Sequence, residues 1–189
     1  MLSRANRLVG LIRRTFVFLD KSVFLQLYRG LVRPVLEYAH AVWTPHHQAD
    51  IEELESVQRR ATKLVPGLST LSYPDRLKNL KLPTLTYRRA RGDMIEVFKY
   101  LTERNKTSVT LLKLRDNSYT RGHPLTLKKS HSRLDVRKHF FTQRVVNLWN
   151  ALSTKVVLSP TLNTFKSRLD KHWEKAPFLF DHKAIPYFL

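Results

Sequence analysis

Cysteine is absent from this chain of 189 residues, and its absence removes several classes of protein at once. Without cysteine there is no disulfide framework and no thiol nucleophile, and a structural zinc site, which usually uses thiolates, is not expected. Long apolar runs are missing too, because no stretch approaches the roughly 20 residues of a membrane-spanning helix. Neither the phosphate-binding motif GxxxxGK[ST] nor the nucleophile elbow GxSxG occurs.

Acidic residues are scarce. The chain has 15 Asp and Glu against 34 Lys and Arg, which gives a formal charge of +19. Such an excess predicts attraction to polyanions but does not by itself separate RNA, DNA and anionic membrane. The excess is densest in residues 105–189, which carry 16 Lys and Arg against 5 Asp and Glu.

Hydrophobic residues make up 42% of the chain, enough for a real core. The periodicity predicts a mainly α-helical protein, with a helical domain over 1–104 and a basic extension over 105–189. Within 50–100 we expect three helices. Asp50 is the predicted N-cap of the first, Pro66-Gly67 ends it, and Thr84 opens the third.

The N-terminal part predicts two further helices. Residues 4–18 form an amphipathic pattern that we interpret as a packing helix. A membrane-surface helix or a mitochondrial transit helix is the alternative, since the first acid is Asp20. Asp20 is also the predicted cap of the next helix, in which Pro34 should cause a kink.

The extension contains alternating and turn-forming residues that predict a small basic β-hairpin, with strands at about 124–129 and 133–138. Aromatic residues Tyr119, Phe140 and Phe141 interleave with the cations, a composition that suits nucleic acid. The alternative is a solvated basic hairpin whose aromatics belong to the core. The apolar tail after Pro177 either docks on the body or is exposed.

Three smaller features have simple interpretations. His46, His47 and Asp50 invite a metal hypothesis, but adjacent histidines point in different directions, so we expect no metal site. Gly92 lies inside a predicted helix, where glycine costs about 1 kcal/mol relative to alanine, so we expect a close helix–helix approach there. Trp149 follows a helical stripe and is predicted to be a core anchor.

Several pieces of the sequence follow the order and spacing of one protein family. They are Leu36-Glu37-Tyr38-Ala39, Val42-Trp43, Val57-Gln58-Arg59-Arg60-Ala61-Thr62-Lys63, Arg88-Arg89-Ala90-Arg91-Gly92-Asp93-Met94-Ile95, Thr120-Arg121-Gly122-His123, the run from Phe140 to Asn150 (FFTQRVVNLWN) and Phe165-Lys166-Ser167-Arg168-Leu169-Asp170. Together they closely resemble the segment just after the catalytic palm in reverse transcriptases of non-LTR (LINE-type) retrotransposons. The resemblance covers nearly the whole chain.

This resemblance implies a thumb and C-terminal extension without the palm. The family's palm carries a Tyr-x-Asp-Asp or Phe-x-Asp-Asp box, whose carboxylates hold two Mg²⁺ ions. This chain contains no Asp-Asp pair, and the region of resemblance begins at Met1, downstream of where that box would lie. We therefore expect a non-catalytic fragment of an RNA-directed DNA polymerase, with no cofactor.

In an intact element, the resemblance implies that the thumb grips the template–primer duplex through phosphates and shape rather than base identity. We therefore predict sequence-independent binding of RNA or an RNA–DNA hybrid. The predicted contacts to the nucleic-acid backbone are Arg59, Arg60, Lys63, Arg88, Arg89, Arg91, Arg121, Lys128, Lys129, Arg137, Lys138 and Arg144.

Two other functions remain open on the sequence. A fragment separated from its palm exposes an apolar face, so the chain is alternatively a protein-interaction module, either co-opted or a remnant without a nucleic-acid role. A residual polymerase would need a palm-containing chain supplied in trans. The composition fits an intracellular protein, nuclear or cytoplasmic, and fits a mitochondrial one less well.

Overall fold

The structure is a computed structural model that describes residues 1–102, 111–115, 122–184 and 186. These residues are mainly α-helical, which confirms the predicted fold class in its main part. None of the described helices is both long and apolar enough to cross a membrane. The chain divides into two compact units. Unit 1 comprises Met1–Ala39, Pro45–Arg88 and Pro177–Ala184, and unit 2 contains His40–Thr44 and Arg89–Ala176.

Unit 1 is built from the N-terminal helices and the helices of the 50–100 stretch. They are α1 (Leu2–Thr15), α2 (Lys21–Leu27), α3 (Arg33–Glu37), α4 (Gln48–Thr62), α5 (Tyr73–Leu80) and the start of α6 (Leu85–Leu101). Residues 85–88 of α6 belong to unit 1 and its later residues to unit 2. The compact units therefore divide the chain inside α6, whereas the predicted domains 1–104 and 105–189 follow composition and stay a prediction.

The starts of α2, α3 and α4 in unit 1 can be compared with the caps and the kink that the sequence predicts. Asp20 caps α2 as predicted, since its carboxylate accepts the Val23 N–H at 2.7 Å. Near Pro34, where a kink is predicted, the helix is irregular, since a π-helical turn over Tyr28–Val32 lies directly before α3. The predicted cap at Asp50 is wrong. Helix α4 begins at Gln48, so Asp50 lies in its first turn, where a carboxylate also suits the helix dipole.

Thr84 caps α6 as predicted and also holds the C-terminal tail. Its Oγ1 accepts the Tyr87 N–H at 3.0 Å and donates to the Phe178 carbonyl at 2.6 Å. Its own N–H donates to the carbonyl of Leu179 at 3.0 Å. Phe178 is buried, so residues 177–184 dock on the helices of unit 1.

Unit 2 contains α7 (Asp135–Lys138), α8 (Phe141–Asn150), α9 (Thr154–Val157) and α10 (Leu162–His172), together with most of α6. Trp149 is fully buried and is the core anchor that the sequence predicts. Its ring centroid lies 6.0 Å from that of Phe165, which stacks on Phe98 at 4.3 Å. The Trp149 indole N–H donates to the Leu125 carbonyl at 2.8 Å, so the core anchor also fixes the segment before α7.

The predicted β-hairpin is not confirmed. Among the described residues there is one antiparallel bridge, Leu114 with Leu127, and the second predicted strand overlaps helix α7. The physical reason lies at the other edge of Leu127, where its N–H donates to Asn150 Oδ1 at 2.8 Å and its carbonyl accepts from Asn150 Nδ2 at 3.0 Å. Because the side-chain amide of Asn150 already satisfies the backbone groups of Leu127 on this edge, they do not pair with residues 133–138.

Gly92 meets a close approach, although the neighbour is a side chain rather than a helix. A Cβ on Gly92 would lie 2.3 Å from Nε2 of His40. His40 follows Ala39, which has a positive φ of 54°. The glycine therefore lets the ring of His40 rest against α6 within unit 2.

Candidate nucleic-acid interface

Eleven of the twelve predicted phosphate contacts lie among the described residues, and they separate into two groups. In the first group, each arginine contacts a carboxylate or an aromatic ring of the protein itself. In the second group, the side chain is exposed to solvent. The difference matters because a guanidinium already bonded to a carboxylate offers fewer donors and less net charge to a phosphate.

Arg59 and Arg88 belong to the first group, in unit 1. Arg88 binds Glu37 with both ends of its fork, at 2.7 and 2.8 Å, and this hydrogen-bonded carboxylate raises the pKa of Arg88. Arg59 pairs with Glu52, and its guanidinium also lies 5.3 Å from the ring centroid of Tyr73. Both cations are therefore partly neutralised within unit 1.

Arg89 and Arg91 are engaged in the same way in unit 2. Arg91 binds Asp170 through two contacts of 2.5 and 2.8 Å, which join α6 to α10. Arg89 is buried, with its guanidinium carbon 4.7 Å from the ring centroid of Trp43. The contact is a cation–π pair, which suits a desolvated guanidinium.

Arg144 is the most completely engaged of the predicted contacts. It is buried, and its fork binds Asp93, itself fully buried, at 2.9 and 3.0 Å. The same guanidinium donates to the carbonyls of His40 at 2.9 Å and Ala41 at 3.2 Å. It also lies 5.3 Å from the ring centroid of Phe141. Arg144 therefore ties α8, α6 and the 40–44 segment together within unit 2.

The exposed group begins in unit 1 with Arg60 and Lys63, at the C-terminal end of α4. Arg60 donates to Asn6 Oδ1 at 2.8 Å, which orients the side chain without neutralising it, since the amide carries no charge. Lys63 is exposed at the helix C-cap.

In unit 2 the antiparallel bridge collects cations from two parts of the sequence. The Lys128 N–H donates to the Lys113 carbonyl, and the Arg115 N–H donates to the Thr126 carbonyl, each at 2.8 Å. Lys113, Arg115 and Lys128 are all exposed. Lys113 and Arg115 were not among the predicted contacts. The signal that could have found them is the alternation Leu112-Lys113-Leu114-Arg115, which matches that of Leu125-Thr126-Leu127-Lys128.

The remaining exposed cations continue along the chain from this bridge. Lys129 donates to Asn147 Oδ1 at 3.1 Å, and Lys138 pairs with Asp135 at 2.8 Å on the short helix α7. Arg121 lies outside the described residues. We define the unit 2 basic region by its exposed cations: Lys113, Arg115, Lys128, Lys129, Arg133, Arg137 and Lys138. Across 111–115 and 122–140 these seven cations face one acid, Asp135.

A surface cleft of about 810 Å³ opens in unit 1. Glu52 and His182 lie in it, and His182 Nε2 is 2.6 Å from Glu52 Oε2. Burial opposes ionisation of Glu52, but hydrogen bonds from Arg59 and His182 lower its pKa from the usual value. The cleft carries acids beside its cations, including Asp181 next to Lys183. This mixture suits a polyanion less well than the unit 2 basic region does.

Metal chemistry has little support in the described part of the chain, where no group of three or more His, Asp and Glu could hold an ion. His46 and His47 lie with ring centroids 4.1 Å apart in the loop before α4. The predicted absence of catalysis stays a prediction.

No family model, no curated protein and no solved structure matches the chain. Its function is therefore inferred from the residues and the geometry described above.

Proposed function

We propose that this chain is the thumb and C-terminal part of a LINE-type reverse transcriptase, without catalytic activity of its own, and that it binds template–primer nucleic acid through phosphate contacts. The observation that carries the proposal is the unit 2 basic region. Across the described residues 111–115 and 122–140, seven exposed cations face a single acid, and the bridge between residues 114 and 127 brings two separate stretches of them together. Sequence-independent binding follows, because phosphates are the same at every base pair.

The partners of each cation bear on which of the predicted residues are open to a phosphate. Arg59, Arg88, Arg91 and Arg144 have carboxylate partners, so recruiting any of them to a phosphate would first break an ion pair. Phosphate contacts therefore fall on the exposed cations of the unit 2 basic region, where the ion pair of Lys138 with Asp135 is open to solvent and weak, with Arg60 and Lys63 as a further pair in unit 1. Each such contact releases condensed counterions, which makes binding dependent on salt.

The test is the affinity of the purified chain for a labelled RNA–DNA hybrid over a salt series. Each phosphate contact contributes about 0.9 to the slope of log affinity against log salt for B-DNA, and a similar value serves as a guide here. Lys128→Ala with Lys129→Ala should weaken binding and lower that slope by about 2 if each lysine makes one contact. Lys171→Ala with Lys175→Ala removes the same charge from exposed positions outside the region and is the matched control.

A slope near zero in the unmodified chain would refute the proposal. Equal losses from the two lysine pairs would show that net charge, rather than an organised site, attracts the nucleic acid.

A second function, docking of a protein partner, is favoured by one observation in unit 1. Val17 and Phe18, just after α1, are exposed to 104% and 77% of their reference areas, and Leu11 on α1 is half exposed. Exposed apolar side chains of this kind often mark protein contacts. A palm-containing polymerase chain supplied in trans is the partner that the resemblance implies. Co-purification with such a chain, lost in Val17→Ser with Phe18→Ser, would support this function.

A further inference from the structure

Three large apolar side chains are exposed beside the cations of the unit 2 basic region. Leu134, Val136 and Phe140 are exposed to 72%, 81% and 48% of their reference areas. They lie in the same stretch of sequence as Arg133, Arg137 and Lys138. Phosphate binding explains the cations but gives no reason to leave these side chains in water.

Phe140 has the geometry of a stacking surface. The guanidinium carbon of Arg137 lies 5.5 Å from its ring centroid, within the range of a cation–π contact. The Phe140 carbonyl accepts the N–H of Gln143 at 2.9 Å and of Arg144 at 3.0 Å, so its backbone is fixed at the start of α8. An exposed aromatic ring that stands on a fixed backbone beside a guanidinium is a surface on which a nucleobase can stack.

Duplex and single strand differ in what they offer to such a surface. In a duplex the base faces are stacked on one another, so the phosphates meet the cations and the ring has no partner. An unpaired strand presents phosphates and base faces together. We propose that the unit 2 basic region binds an unpaired strand of nucleic acid, with Phe140 stacking on a base and the neighbouring cations contacting its phosphates. This inference rests on the proposed function and adds an unpaired strand, such as the single-stranded part of a template, to the duplex whose phosphates the same cations contact.

An anionic membrane is the other polyanion that would accept apolar side chains among cations. Interfacial membrane binding is typical of longer amphipathic helices, whereas α7, which carries Val136, has four residues. The shortness of α7 therefore favours nucleic acid.

The experiment compares a labelled single-stranded RNA of about 12 nucleotides with the blunt duplex of the same sequence, by fluorescence anisotropy at several salt concentrations. Phe140→Ala should weaken single-strand binding about tenfold, the loss typical of one stacked base. Duplex binding should change less than twofold, and the salt slope should stay as in the unmodified chain, because no charge is removed. Phe140→Trp should keep single-strand binding, since it retains a stacking ring.

Leu158→Ala is the matched control, because Leu158 is 51% exposed in unit 2 outside the basic region. Unchanged single-strand binding in this variant, together with the loss in Phe140→Ala, supports the inference. Equal losses of single-strand and duplex binding in Phe140→Ala would overturn it. The inference would also be overturned if the chain bound vesicles of anionic phospholipid and Phe140→Ala abolished that binding but left single-strand binding unchanged. Failure of the proposed function gives a different result from failure of this inference, because neither the single strand nor the duplex would then bind at low salt.

Discussion

Arg137 and Arg144 lie seven residues apart and were predicted to do the same thing, but their surroundings are opposite. Arg137 is exposed on the short helix α7, beside the ring of Phe140. Arg144 is buried and binds the buried carboxylate of Asp93. A charged pair away from water is strongly coupled, because losing one partner leaves the other charge buried without compensation.

We predict that Arg144→Ala destabilises the protein by about 3–5 kcal/mol, because it leaves the Asp93 carboxylate buried and unpaired. Arg137→Ala removes the same type of side chain from an exposed position and should change stability by less than about 0.5 kcal/mol. Urea denaturation followed by circular dichroism measures both. Arg137→Ala should instead lower the salt slope of nucleic-acid binding.

Two results would contradict this assignment of roles. One is an Arg144→Ala protein with an unchanged denaturation midpoint. The other is an Arg144→Lys protein as stable as the unmodified chain. Lysine keeps the charge but lacks the fork that reaches Asp93 and the carbonyls of His40 and Ala41 together, so a loss of stability is expected.

Sequence periodicity could place Arg144 on a helix but could not show which face meets a carboxylate. Asp93 is 51 residues away in the sequence and comes near only when the chain folds. Gly92 illustrates what could be predicted. The glycine predicted a close helix–helix approach. A close approach does occur there, but the neighbour is the side chain of His40 rather than a helix.

At the level of elements, a buried carboxylate on α4 supports the start of α6 in unit 1. Glu55 is fully buried, and it accepts the Tyr73 hydroxyl at 2.6 Å and the Leu85 N–H at 3.1 Å. Beside it, Gln58 donates to the Pro83 carbonyl at 3.1 Å and accepts from the hydroxyl of Tyr28. Glu55 lies in the middle of α4, and its role at the N-terminus of another helix required the fold.

Burial raises the pKa of Glu55 above its usual value, although the hydrogen bonds from Tyr73 and Leu85 oppose the shift. The folded protein therefore binds the Glu55 proton more tightly than the unfolded chain. As pH rises from the usual glutamate pKa to the raised folded value, this group lowers the free energy of unfolding, by up to about 1.4 kcal/mol per pH unit.

We predict that Glu55→Gln is at least as stable as the unmodified protein at pH 7, and that its advantage shrinks as pH falls towards 4. The amide keeps an acceptor for Tyr73 or Leu85 but has no charge to desolvate. Denaturation at a series of pH values measures the difference. Glu53→Gln, at an exposed position on the same helix, is the matched control. An advantage of Glu55→Gln that grows on acidification would contradict the prediction.

The extension shows where element prediction failed and why. The alternation at residues 124–129 predicted a strand. Pro124 and Leu125 form a turn instead, although Leu127 does form a bridge. Its partner is Leu114, and the opposite edge is taken by the side chain of Asn150, a pairing between positions 23 residues apart. Alternation reports the conformation of one segment, and it does not name the partner that completes the backbone hydrogen bonds.

For the whole molecule, net charge is the property that the sequence shows most directly. The chain carries 19 more cations than acids, so the folded state brings like charges together that the unfolded chain keeps further apart. Salt has two opposing effects on the stability of the folded state. It screens this repulsion, and it also screens ion pairs such as Arg88 with Glu37 and Arg91 with Asp170. Partly exposed pairs contribute about 0–1 kcal/mol each, so the repulsion among the excess cations should dominate.

We predict that raising NaCl from about 0.01 to 0.15 M, which shortens the Debye length from about 30 to 8 Å, raises the melting temperature. Each kcal/mol of relieved repulsion corresponds to about 2–4 °C for a chain of this size. A variant with Arg4, Arg7, Lys128 and Lys129 replaced by glutamine lacks four of the 19 excess charges and should gain less from the same salt. Differential scanning calorimetry measures both proteins. A melting temperature that falls with salt in the unmodified chain would mean that ion pairs outweigh the repulsion, and that the excess charge is not held close together.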